Sequence, residues 1–120
     1  MVYTSSSLAL AAIEFFVHLD PSEAPLELVS LMAEVPDALR MERMEIDALP
    51  AGWHRIDNKH VQRLGTDWAK SLSSVALIVP SAVVEGEWNI LLNPAHPDFS
   101  KIAVSAAKPF HYDERMFKRS

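Results

Sequence analysis

The run SVALIVPSAVV, residues 74–84, limits the fold more than any other stretch of this chain. It is rich in β-branched residues and has no polar alternation, so as a strand it must be buried on both faces. Pro80, which has no backbone N–H, breaks it. A second short strand is expected in WNILLNP, 88–94, ending at Asn93-Pro94, and a third in VYTS, 2–5. LELVSLMAEVP (Leu26–Pro36) has period-2 character in its first half and reads as a further strand. IAVSA and PFHY are strand candidates in the tail, MERMEID (41–47) is ambiguous, and DPSEAP and ALPAGWH have the composition of breaks and loops.

Two segments have helical spacing. In LALAAIEFFVHLD (Leu8–Asp20), Leu8, Ala12, Phe15, Phe16 and Leu19 share a stripe that is expected to face the core, with Phe15 its best probe. Ser5, Ser6 or Ser7 is the expected N-cap. HVQRLGTDWAKSL (His60–Leu72) sets Val61, Leu64, Trp68 and Leu72 three and four residues apart, as in a surface helix with one apolar stripe. Mixed strands with two or more helices define an α+β fold of small mixed sheets. The 120 residues, free of repeats and linkers, suit one domain.

Composition narrows the functions. Eleven Lys and Arg against sixteen Asp and Glu leave a formal charge of -5, which disfavours direct nucleic-acid binding. The absence of Cys removes disulfides, thiolate catalysis and Cys-based zinc sites, and is compatible with the cytoplasm, the expected location. Residues 1–7 carry no Lys or Arg and Glu14 interrupts the apolar run that follows, so no signal peptide is read there. No apolar run reaches about 18 residues, and no membrane association is expected. The five His show no i, i+4 pair, so no metal site is expected, and three glycines at 52, 65 and 86 cannot build a Gly-rich phosphate loop.

Glu14 is the anomaly. Leu10, Ile13 and Val17 flank it, so the helix is apolar nearly all round. A Glu there is either a rim residue with its carboxylate in water or a group kept for chemistry, because burying an unpaired carboxylate is costly. Ser81, in VPSAV, lacks the glycines of a nucleophile elbow and on spacing alone reads as a plain strand-end serine. Asn89 and Asn93 read as turn and strand-end residues that fix backbone groups.

Three blocks taken together are more specific: VYTSSSLALAAIEFFVHLD at 2–20, LGTDWAKS at 64–71 and VPSAVVEGEWNILLNPAHPDF at 79–99. In this order they resemble the RES domain, a family named for an Arg, a Glu and a Ser. Its members look like bacterial toxins paired with an Xre-type antitoxin and acting on NAD through a fold similar to the ADP-ribosyltransferases. Glu14 matches the family Glu, Ser81 the family Ser, and Tyr3 a Tyr near the nicotinamide pocket. RES domains usually carry an upstream segment with Arg-containing and GGRW-like stretches, whereas here Met1 stands just before VYTS. The expectation is a single, N-terminally shortened RES-like domain over residues 1–120 without that segment.

The resemblance implies cleavage of the nicotinamide–ribose bond of NAD, with ADP-ribose transferred to water, phosphate or protein. Glu14 and Ser81 are the expected catalytic residues and Tyr3 the expected nicotinamide contact. NAD is required as substrate, with no further cofactor. The expected protein partner is an Xre-type antitoxin, and a homo-oligomer is compatible with the family. The alternative is a catalytically inactive, shortened RES-like module that binds the antitoxin.

Overall fold

A computed structural model describes residues 1–20, 22–54 and 59–117. In chain order the elements are β1 (Val2–Ser5), α1 (Leu8–Phe16), β2 (Leu28–Ser30), β3 (Ala33–Glu34), β4 (Met41–Arg43), α2 (Lys59–Ser71), β5 (Ala76–Pro80), β6 (Trp88–Leu92), β7 (Ala103–Val104) and β8 (Lys108–Phe110). The α+β class stands. The main sheet has the order β1-β6-β5-β4, with β6 antiparallel to both neighbours and β4 parallel to β5. A parallel pair needs a crossover, and α2 supplies it. The ambiguous MERMEID segment thus begins with an edge strand. Leu26–Pro36, expected as one strand, divides into β2 and β3, which pair with β8 and β7 respectively.

The run at 74–84 holds the centre, as its composition requires. Leu77, Val79 and Leu91 project from one sheet face onto Trp68 of α2, with Met44 and Ala69 at the margin. Val75, Ala76 and Leu92 form a second cluster, against which Val35, Leu39, Ile90, Phe99 and Ile102 pack. Trp68 Nε1 donates to Ser74 Oγ at 2.9 Å, so the indole is buried without leaving its N–H unpaired. Asn93 has the expected backbone-fixing role: its Nδ2 donates to the Ala69 carbonyl at 2.9 Å, and its Oδ1 accepts from Ala95 N at 3.1 Å. Leu72, expected on the α2 stripe, lies past the helix end at φ +54° and is exposed.

Ser7 is the N-cap of α1, its hydroxyl accepting from Leu10 N at 3.1 Å. The helix stops at Phe16, short of the expected Asp20. Asp20 instead accepts from Ser22 N and Oγ, a local turn that holds its carboxyl below the usual range; the intervening Pro21 lies outside the described residues. The expected core stripe is wrong in part. Leu8 and Phe15 are 54% and 48% exposed, whereas Leu10, assigned to the other side, is 3% exposed. Phe16 does pack inward, with ring centroids 5.8 Å from Tyr112 and 5.4 Å from Phe117. Tyr112 also packs on Phe110 and donates its hydroxyl to the Ala12 carbonyl. The physical reason is that a helix apolar nearly all round has a stripe in every direction, so its rotation is set by polar partners. The sheet takes the face carrying Leu10 and Glu14, one turn apart.

Candidate functional site

Strand alternation assembles the site. Tyr3 and Ser5 of β1 and Asn89 and Leu91 of β6 share the sheet face that carries Leu77 and Val79 of β5, and Ser81 continues that alternation. Register then places Ser5 opposite Asn89, and Asn89 opposite Val79. The β5–β6 connection is built around Ser81. Its hydroxyl accepts from Val83 N at 3.1 Å and Val84 N at 3.0 Å, while its own N–H donates to the Glu87 carbonyl at 2.8 Å. Glu87 N closes the turn on Val84 O, with Gly86 at φ +85°, a conformation that favours glycine. The order S-x-V-V-x-G-E therefore encodes this loop.

Glu14 meets this end of the sheet from α1. Its Oε1 accepts from Ser81 Oγ at 2.6 Å and from Asn89 Nδ2 at 2.8 Å. Asn89 Nδ2 also reaches the Tyr3 hydroxyl at 3.4 Å, and Asn89 Oδ1 accepts from Ser5 Oγ at 2.8 Å. Ser81 and Asn89 are buried, Glu14 is half-buried and Tyr3 is 61% exposed. Among the described residues Oε2 of Glu14 accepts no hydrogen bond, and no buried side-chain oxygen lacks a partner, so Oε2 is not sealed from solvent. Partial burial of the Tyr3 hydroxyl, then the Glu14 charge, raises its pKa above the ordinary 10.0, while the bond from Asn89 opposes the rise.

The three residues singled out from the sequence, Tyr3, Glu14 and Ser81, thus lie in one hydrogen-bonded cluster. Asn89 was misread as a structural strand-end residue and stands at its centre. The signal was present: an amide of low strand propensity inside a buried apolar run must find partners. Three of the described arginines are engaged by neighbouring side chains. Arg40 bonds Glu42 at 3.4 Å, Arg115 pairs with Asp113 at 2.8 Å, and Arg43 stacks 4.1 Å over the Trp88 ring. By strand alternation Arg43 is on the sheet face opposite Asn89. Arg63 is exposed on α2, and Arg55 and Arg119 lie outside the described residues. Among the described residues no group of three His, Asp or Glu is placed to hold a metal ion, and no helix is long and apolar enough to cross a membrane.

One carboxylate oxygen pinned by two donors, with a phenol alongside, marks a small α+β protein whose side-chain cluster is held in place by hydrogen bonds. Residues 1–113 match the RES domain, and the chain belongs to that family. It is 37% identical to a Prs ADP-ribosylating toxin of Sphingobium sp. (strain YBL2), across the whole chain and 76% of that toxin. It is 31% identical to a Toxin Res of Photorhabdus laumondii, over 98% of the chain and 76% of that protein. It is 35% identical to a Toxin Res of Yersinia enterocolitica, over 96% and 76%.

Proposed function

We propose that this RES domain is a toxin that degrades NAD by cleaving the nicotinamide–ribose bond and transferring ADP-ribose to water, phosphate or a protein. The observation that carries the reading is the Glu14 carboxylate, with Oε1 held by Ser81 and Asn89 and Oε2 not sealed from solvent. As the C1′–N bond breaks, its electron pair goes to the nicotinamide nitrogen and positive charge spreads over C1′ and the ribose ring oxygen. Oε2, held in place against that charge, stabilises the transition state more than the ground state. The acceptor oxygen then bonds to C1′ and releases its proton. Ser81 fixes the carboxylate, and the exposed Tyr3 ring stacks on the nicotinamide. The names of the relatives, one an ADP-ribosylating toxin and two a Toxin Res, support this chemistry. A fold like that of the ADP-ribosyltransferases, a cytoplasmic location and an Xre-type antitoxin as partner belong to the same reading.

Glu14→Gln keeps the shape of the side chain and removes its charge. The expected result is a fall in NAD consumption of about 10²- to 10³-fold, the scale of losing one electrostatic stabiliser, with an unchanged melting temperature. Parent turnover in a well-folded variant overturns the assignment. Arg43 favours a second reading, because an NAD pyrophosphate calls for cationic donors and this guanidinium stacks on Trp88, on the sheet face away from Asn89. In that reading the chain is an inactive RES-like module that binds the antitoxin. Antitoxin binding by a parent that consumes no NAD selects it.

A further inference from the structure

We propose that Ser5 and Asn89 form a positioning relay that aims the Glu14 carboxylate and joins it to Tyr3, an inference that rests on the NAD-cleaving reading above. Asn89 is 0% exposed, and a buried amide is tolerated only when its donors and acceptor are engaged. Its two Nδ2 protons have two destinations, Glu14 Oε1 at 2.8 Å and the Tyr3 hydroxyl at 3.4 Å. These donations require the NH₂ end of the amide to point toward α1. A half-turn of the amide would set Oδ1 against the carboxylate, acceptor against acceptor.

The acceptor-only carboxylate of Glu14 opposes that half-turn, and the other end of the amide is engaged by Ser5. This serine stands directly across the strand pair from Asn89, and its hydroxyl donates to Oδ1 at 2.8 Å. A hydroxyl can also accept, so Ser5 alone does not impose a direction; Glu14 and Ser5 together do. The carboxylate attracts the donor end and the serine engages the acceptor end. The other donor to Oε1, Ser81, is fixed in turn by two backbone N–H groups. With both donors on Oε1, Oε2 is the oxygen left for substrate. Neither Ser5 nor Asn89 needs to touch the substrate for this role.

The test uses the full chain labelled with ¹⁵N, with NAD turnover measured on the same samples. Asn89→Asp identifies the Asn89 side-chain amide signals by their loss. In the parent those protons are expected to exchange slowly with water. Ser5→Ala is expected to accelerate their exchange and to lower kcat about tenfold, about 1.4 kcal/mol, while KM for NAD changes less than threefold. Ser5→Thr, which keeps a hydroxyl on a strand-compatible side chain, is expected to restore both. Unchanged exchange in Ser5→Ala overturns the relay, and so does faster exchange with parent kcat. Glu14→Gln separates the two ideas. Parent activity in that variant defeats the proposed chemistry itself, whereas an inactive Glu14→Gln beside a fully active Ser5→Ala defeats only the relay.

Discussion

Replacing Phe16 and Phe15 in turn by Ala separates the face of α1 that holds the site in place from the face that does not. Phe16 packs on Tyr112 and Phe117, and Tyr112 also bonds the Ala12 carbonyl one turn back. Truncating a fully buried Phe costs about 3–5 kcal/mol, and each aromatic pair contributes about 0.5–1.5 kcal/mol beyond area. Phe16 is only partly buried, so its loss is expected at or below the bottom of that range, about 2–3 kcal/mol. Phe15 is 48% exposed and belongs to no aromatic pair among the described residues, and its loss is expected to cost under about 1 kcal/mol. With about 4 °C per kcal/mol for a domain of this size, Phe16→Ala is expected to melt about 8–12 °C below the parent and Phe15→Ala within about 4 °C of it. Urea unfolding at constant slope provides the free energies directly. Equal losses, or a larger one for Phe15, would refute the orientation of α1 and with it the placement of Glu14.

Ser81→Ala removes the short bond to Glu14 and leaves the Val83 and Val84 N–H groups without their acceptor. It is therefore expected to lower both melting temperature and NAD turnover, and loss of turnover alone would mean that the loop does not depend on the hydroxyl. Gly86→Ala, at φ +85° with open space around the added methyl, is expected to destabilise by about 1 kcal/mol through backbone strain alone, read by denaturant titration. Both tyrosines of the chain, Tyr3 and Tyr112, have pKa values raised above 10.0, so they stay protonated in the fold at pH values where the unfolded chain ionises. Their contribution to stability is present below pH 10.0 and falls as pH rises from there through the folded values. Ultraviolet titration of folded Glu14→Gln is expected to show the Tyr3 midpoint moving back toward 10.0 while Tyr112 holds its place; an unmoved Tyr3 contradicts its proximity to the carboxylate.

Legibility followed the strength of local constraint. Ala76–Pro80 and Trp88–Leu92 were readable because short, largely apolar runs have few places to go, and α2 because a single stripe on a polar helix fixes its rotation. α1 defeated the same reasoning. Leu8, Leu10, Ile13, Phe15 and Phe16 offer apolar surface in several directions, and the choice among them was made by Ser81 and Asn89, more than sixty residues away. Glu14 stood out as a charge in apolar company, and the resemblance drew attention to Tyr3 and Ser81, but no local pattern links Ser5 to Asn89. That pairing exists only once β1 is in register with β6.

The order of β1 beside β6 also fixes when, during synthesis, this site comes into being. Tyr3, Ser5 and Glu14 leave the ribosome before their partners at 81 and 89, which lie 67 to 86 residues further along the chain, and the aromatic rings that brace α1 come later still, at 112 and 117. At about 5–20 residues per second, seconds of elongation separate the carboxylate from the groups that orient it. A truncated or stalled product ending before β6 therefore contains Glu14 but has no assembled centre around it. Because long-range strand pairing is slow to form, synthesis is followed by a further interval in which Glu14, Ser81 and Asn89 are all present and not yet assembled.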